Sequence, residues 1–355
     1  MDKILEWFGR QVYEERMAKV CAFWNGDGRF VASVNASQDM YRQVFDEAAI
    51  LERAPSNLRA QARLPGLNLP AFFADFGTVS TAKHWGGTPR FDSTGGNIFI
   101  DPVAQTLDEA LAVEPLPVDH PAMDGPRAMR LYRALSDRLK TDSLWLRTPD
   151  LQGPLNTAGL VLNQEELLIA MYTDPGRVHE FLAEVTDLLI RYAHYFNEQS
   201  GHRVCGFIWP YTFFPCDLGV SLTEDLMPLL PAELYAEFGV PCLRRLAGAF
   251  GRVHIHCCGD WGRHAKALKE SGVPVAAVEF HYPFTRIEEL QCLAGETVFI
   301  PYISLSKQDR FKSAGEYYRH LLDSTDESHR YWFAWPEDSE EALAFVREVG
   351  DGSAV

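Results

Sequence analysis

The spacing of apolar and polar positions changes along the chain. Residues 4–21 have helical periodicity and predict one helix, which lies in a helical N-terminal extension over residues 1–28. The second half instead alternates short apolar runs with amphipathic segments, and those runs are 252–258, 275–281, 297–304 and 331–336. Strands that alternate with helices through short connections pair in parallel, so this half predicts βα units.

Five further apolar runs earlier in the chain bring the predicted strands to nine, which is roughly the eight of a (β/α)8 barrel. They lie at 29–35, 69–77, 97–101, 143–147 and 205–211. This predicts an α/β fold, with residues 1–355 forming a single (β/α)8 barrel of the TIM type that has an irregular N-terminal extension. A doubly wound sheet is the alternative, but no Gly-rich nucleotide-binding motif follows any strand. Residues 78–91 and 212–223 are predicted loops that could close over a pocket.

One predicted strand, Arg252–Cys258, carries two histidines and two cysteines and stops at Gly259. Alternation in a strand places His256 and Cys258 on the same face, and imidazole with thiolate is a preferred zinc ligand pair. Glu279 would be a third ligand if its strand is the neighbour, which leaves the open fourth position of a catalytic zinc. An inward carboxylate needs some partner in any case, and Arg or Lys could serve instead.

Other candidates also lie at predicted strand ends, where a barrel holds its chemistry. His281 and Tyr302 could transfer a proton. The candidates for the substrate pocket are Asp75, Trp209, Tyr211 and Trp335. Taken singly, such aromatic residues are more often core or lid. Cys257 points to the opposite face and is expected in the core, and His254 is expected to be a satisfied interior histidine.

Composition narrows the classes of function. The formal net charge of −16 disfavours nucleic-acid binding, which relies on clustered Lys and Arg. No apolar run is long enough to span a bilayer, and the first ten residues lack the apolar segment of a signal peptide. Seven cysteines are an odd number and fit reduced thiols, which predicts a cytoplasmic protein.

Several motifs together resemble the uroporphyrinogen decarboxylase superfamily, and within it the corrinoid (cobalamin)-dependent methyltransferase branch. The resemblance covers most of the chain. The stretches that carry it are 222–238, His256-Cys-Cys-Gly-Asp260, Asp150-Leu-Gln-Gly-Pro154, Asp174-Pro-Gly-Arg-Val-His179, and Asp75-Phe-Gly77 with Trp85-Gly-Gly87. The Arg-rich N-terminal motif of the decarboxylases is not found here, which disfavours porphyrin decarboxylation.

The resemblance implies a (β/α)8 barrel with its pocket at the carboxyl ends of the strands. It also implies one zinc ion, held by the His and Cys of His-x-Cys and by a later cysteine near the last strand. The methyl group then moves to or from a corrinoid on a separate small protein. The last predicted strand here, Tyr331–Pro336, has no cysteine, so Glu279 is the provisional replacement for the third ligand.

The sequence therefore predicts a zinc-assisted methyltransferase that moves a methyl group between a small methylated compound, or a thiol, and a corrinoid on a partner protein. A homodimer is an option. Two alternatives stay open. One is a metal-free, decarboxylase-like lyase of the same fold, in which Asp75 or Asp150 holds the substrate. The other is a non-catalytic protein that binds the corrinoid partner.

Overall fold

The computed structural model describes residues 1–35, 46–73, 76–91, 98–206 and 212–349. The strands within these ranges are β1 (Phe30–Val34), β2 (Ala71–Phe73), β3 (Pro89–Phe91), β4 (Ile98–Ile100), β5 (Trp145–Arg147), β6 (Val220–Thr223), β7 (Val253–Cys257), β8 (Val275–Tyr282), β9 (Val298–Ile303) and β10 (Arg330–Trp335). The α-helices are α1 (Lys3–Phe8), α2 (Arg10–Trp24), α3 (Glu47–Arg63), α4 (Leu107–Ala112), α5 (Asp124–Leu139), α6 (Pro154–Val161), α7 (Gln164–Thr173), α8 (Pro175–Gln199), α9 (Ala232–Leu234), α10 (Val240–Phe250), α11 (Ala265–Ser271), α12 (Ala314–Ser324) and α13 (Glu340–Val349). A π-helical turn at Tyr235–Gly239 joins α9 to α10.

Six strands form one parallel sheet in the order β1-β10-β9-β8-β7-β6. The first and last strands are thus neighbours, and β1 pairs with β10 along its whole length. A second parallel pair, β2 and β5, continues through a bridge between Leu146 and Val204. Gln152, just after β5, bridges to Thr223 of β6. The fold is therefore α/β and built on parallel strands; in the described part of the chain, no ladder joins β1 to β2.

The two faces of these strands contribute to two cores. One lies between the strands and the surrounding helices and contains Phe280, Phe299 and Phe333. The other contains Ala277, Ile300 and Trp332 together with Trp24 of α2. Trp24 stacks on Trp332 with ring centroids 5.5 Å apart, and its Nε1 donates to the carbonyl of Phe213 at 2.9 Å. Helix α2 is therefore packed into the core.

Two local predictions were wrong. Residues 4–21 form two helices, because Gly9 adopts a φ of +74°, which an α-helix does not accept. The predicted loop 212–223 contains strand β6, all four residues of which are buried. Among the described helices, none has an apolar stretch long enough to cross a membrane.

Candidate metal centre at the strand ends

Strands β7 and β8 bring His256 and Glu279 side by side. The strands are parallel neighbours, and these two residues are partners in the register. Nδ1 of His256 lies 2.6 Å from Oε2 of Glu279. Because a carboxylate can only accept, Nδ1 is the donor and Nε2 is the nitrogen left to accept or to bind a metal. The condition on which the sequence-based metal hypothesis depended, neighbouring strands, is met.

Glu279 bridges two imidazole rings. Its Oε1 lies 3.1 Å from Nε2 of His281, which is two residues further along the same face of β8. The Glu279 side chain is 0% exposed, so the two rings occupy both of its oxygens away from solvent. His281 pairs in register with Tyr302 of β9, and their ring centroids are 4.5 Å apart. A polar row therefore runs from His256 through Glu279 and His281 to Tyr302.

The other side of His256 faces Asp225 and Cys258. Asp225 follows β6, the strand on the far side of β7, and its Oδ1 lies 3.7 Å from Nε2 of His256. The same oxygen accepts a hydrogen bond of 2.9 Å from the backbone N–H of Cys258. The ligand atoms of Asp225, His256 and Cys258 all lie within 4.8 Å of one another, and so do those of His256, Glu279 and His281. His256 thus belongs to two possible metal-binding groups.

The charges around His256 are mostly negative. Burial alone would lower its pKa, but the charge of Glu279, hydrogen bonds with Cys258 and Glu279, and the charge of Asp225 together raise the pKa well above its usual value. Surroundings that favour a proton on a ring also favour a metal cation beside it. For Tyr302, burial and the charges of Glu337 and Glu279 raise the pKa, which keeps its hydroxyl protonated as a donor.

Two buried titratable groups lie next to these residues. Burial, with the charge of Asp225, raises the pKa of Glu224 to about 8. Burial, with the charges of His256 and Arg147, lowers the pKa of His254 to about 3. Within the described residues, neither ring nitrogen of His254 has a hydrogen-bond partner, so it is interior as predicted but not satisfied.

The structure does not bring every predicted site residue to this row. Trp335 is only 3% exposed, and its ring packs against Tyr318 of α12 and Phe345 of α13, on the helix-facing side of β10. It therefore lies in the core and not in a wall of the pocket, which corrects the sequence-based assignment. Cys257 is fully buried in the same core, as expected. The candidates Asp75, Trp209 and Tyr211 lie outside the described residues.

Asp225 is the residue that the sequence-based reasoning missed. It lies in the stretch 222–238 that resembles the family, but the sequence pattern indicates no role for it, because residues 212–223 are predicted to form a loop. The signal was the run Val220-Ser-Leu-Thr223, which is short but forms a buried strand. Once that run is identified as a strand, Asp225 becomes a strand-end residue beside the Cys258 strand.

Comparisons with known proteins agree with the motifs. Residues 150–298 match the family described as uroporphyrinogen decarboxylase (URO-D). A methylated-thiol–coenzyme M methyltransferase of Methanosarcina mazei is 28% identical over 137 residues, which is 38% of this chain and 34% of that relative's length. A solved structure, a methyltransferase from Methanosarcina mazei, superposes with a TM-score of 0.66 at 11% identity and covers 95% of this chain and 97% of that one. At this low identity, the superposition shows a shared fold. The family match and the methyltransferase relative confirm the resemblance to the uroporphyrinogen decarboxylase superfamily and to a methyltransferase related to it.

Proposed function

We propose that the protein is a zinc-dependent methyltransferase that moves a methyl group between a small methylated compound, or a thiol, and a corrinoid carried by a partner protein. The observation that carries the proposal is the setting of His256. Its Nδ1 is held by the buried Glu279, while its Nε2 faces the more exposed Asp225, with Cys258 close by. The similarity to enzymes named as methyltransferases supports the class of reaction.

The residues present fit a zinc ion. Histidine nitrogen and cysteine thiolate are preferred ligands, and Cys258 is exposed and can be reached from solvent. A metal-binding histidine usually donates its other ring N–H to a carboxylate, which fixes the tautomer and the ring orientation. Glu279 makes this contact with Nδ1 of His256. His256 and Cys258 are two ligands in this proposal, and the third lies among the neighbouring carboxylates, Glu279 or Asp225.

When bound, the zinc ion would act as a Lewis acid toward the heteroatom that gains or loses the methyl group, and the corrinoid would be the other methyl carrier. Side chains of the protein would provide the proton exchange and the hydrogen bond to the substrate. Glu279 holds Nε2 of His281, which leaves Nδ1 of that ring to exchange a proton with the heteroatom. The protonated hydroxyl of Tyr302, beside this ring, would donate a hydrogen bond to the substrate.

For the fold, we extend the proposal to one closed (β/α)8 barrel over residues 1–355, with residues 1–28 as the extension. The pairing of β1 with β10 and the bridge from β5 to Val204 support a continuous circle of strands. The row from His256 to Tyr302 then faces the mouth of the barrel. Asp75, Trp209 and Tyr211 stay predicted substrate contacts, and Trp335 is left out. The homodimer and the cytoplasmic location also stay predictions.

Zinc content tests the proposal first. Wild-type protein purified without chelator should carry about one zinc per chain. His256→Ala and Cys258→Ser should lose it. Cys292→Ser, a change at another exposed cysteine, is the matched control and should keep it. A wild-type protein that binds no zinc, even after reconstitution, would overturn the metal mechanism in favour of a metal-free lyase.

Methyl transfer tests the reaction itself. Activity should need both zinc and a corrinoid protein, with a methylated thiol as the first donor to try, because the matched relative is named for that class. If the protein binds zinc and the corrinoid protein but shows no turnover, the proposal that it is an enzyme would be contradicted and the non-catalytic alternative favoured.

A further inference from the structure

We infer that Asp225 is the third metal ligand of this centre, and that Glu279 orients His256 without contacting the metal. The inference rests on the proposed zinc-dependent function. It assigns the ion to the group of Asp225, His256 and Cys258 and not to the group of His256, Glu279 and His281. Asp225 would then take the place of the third ligand, for which the last strand, β10, provides no cysteine.

The distances separate the two groups. A tetrahedral zinc ion with bonds of about 2.0–2.1 Å to nitrogen and oxygen holds those two atoms about 3.3 Å apart. Nε2 of His256 and Oδ1 of Asp225 are 3.7 Å apart, so a small side-chain rotation lets an ion bind between them. Nδ1 of His256 and Oε2 of Glu279 are 2.6 Å apart, which is a hydrogen bond with no room for a metal.

The solvent exposure of the two carboxylates also favours Asp225 as the ligand. The Glu279 side chain has no exposure, and a second ring occupies its other oxygen. The Asp225 side chain is 39% exposed. An ion on the Asp225 side would therefore keep a position open for substrate, as a catalytic zinc must.

The backbone fixes Asp225 relative to the other two ligands. Its Oδ1 accepts from the backbone N–H of Cys258, and Thr223, two residues before it, pairs in register with His256. The three ligands thus come from two adjacent strand ends and need no distant element. One thiolate and one carboxylate carry the same charge as two thiolates, so the divalent ion is neutralised while the centre gains a harder oxygen ligand.

The test compares zinc affinities measured by chelator competition in four variants. Asp225→Asn keeps an oxygen that can accept from the Cys258 N–H but removes the charge, and Asp225→Ala removes both. Glu279→Gln tests the orienting role. Asp260→Asn is the matched control, because Asp260 is a nearby carboxylate with a 64% exposed side chain that belongs to neither group. Thermal unfolding of each variant verifies that it is folded.

We expect zinc binding more than about 100-fold weaker in Asp225→Ala, clearly weaker in Asp225→Asn, and unchanged in Asp260→Asn. Glu279→Gln should weaken binding by about 10–100-fold. With Co²⁺ in place of zinc, Glu279→Gln should keep the wild-type ligand-field spectrum, and both Asp225 variants should change it.

Three outcomes count against the inference. Wild-type affinity and spectrum in Asp225→Asn, with zinc lost in His256→Ala, would show that Asp225 only braces the Cys258 backbone, while the zinc-dependent function stands. A changed Co²⁺ spectrum in Glu279→Gln but not in the Asp225 variants would make Glu279 the ligand. A wild-type protein without zinc would overturn the proposed function together with the inference.

Discussion

Replacing Glu279 with glutamine removes one negative charge from a fully buried position and keeps the shape of the side chain. The carboxylate binds Nδ1 of His256 at 2.6 Å and Nε2 of His281 at 3.1 Å. Hydrogen bonds to charged groups contribute about 1.5–3 kcal/mol each, and breaking a buried ion pair costs about 3–5 kcal/mol. The amide keeps one acceptor, so we expect the free energy of unfolding of the metal-free protein to fall by about 2–4 kcal/mol.

The loss should depend on pH. Burial opposes the charged ring, but the charge of Glu279 is the first of the contributions that raise the pKa of His256 well above its usual value. A base whose pKa is higher in the folded state stabilises the fold fully below its unfolded pKa, about 6.5, and loses that contribution as the pH rises through the folded pKa. The destabilisation by Glu279→Gln should therefore be greatest near pH 6 and decrease toward pH 10.

Urea denaturation in the presence of a chelator, repeated across this pH range, measures the effect. Glu296→Gln is the control, because Glu296 is 74% exposed and its ion pair with Lys269 lies at the surface. Its loss should stay below about 1 kcal/mol at every pH. A Glu279→Gln loss below about 1 kcal/mol at pH 6, or one that increases as the pH rises, would refute the charge-bridge argument.

Three further predictions follow from single positions. Gly153→Ala would place a Cβ 2.1 Å from Oε1 of Glu224 and 2.8 Å from the carbonyl oxygen of Thr223. Its melting temperature should therefore fall by an amount that corresponds to about 1–3 kcal/mol. Gly248→Ala is the control and should not be destabilising, because a Cβ at that position meets no atom within 4 Å. Burial keeps His254 uncharged in the folded protein down to about pH 3, but the unfolded chain takes up a proton below about pH 6.5, so acid destabilises the wild type. The free energy of unfolding of His254→Leu, relative to that of the wild type, should therefore rise by about 2 kcal/mol between pH 7.5 and pH 5. An equal difference between the two proteins at both pH values would contradict this. Tyr302→Phe should keep its zinc and lower kcat by about 100-fold or more, because the substrate loses a hydrogen-bond donor; an unchanged kcat would show that the Tyr302 hydroxyl does not contact the reacting group.

The sequence predicted strands β7 to β10 closely, because each is a short run rich in apolar residues that ends at Gly, Pro or a polar residue. Parity within a strand also placed Glu279 and His281 on one face. It could not show that Glu279 would bond to Nδ1 of His256, because that contact depends on the register between β7 and β8.

The errors have physical reasons as well. Strand β6 was missed because a run of four residues with two polar side chains resembles a loop, although Ser221 and Thr223 are buried. Trp335 was assigned to the pocket because it ends a strand, but its parity in β10 turns it toward the helices. A strand-end position alone does not specify the face.

The pairing of β1 with β10 has a consequence for how the protein folds. Trp332 of β10 donates to Ser33, which lies next to the last residue of β1, and 299 positions separate the two residues. At typical synthesis rates, β1 and Trp24 leave the ribosome about 15–60 s before their partners in β10 exist. During that interval this part of their apolar surface lacks its native partner, so folding of this chain should be slow and dependent on protection from aggregation.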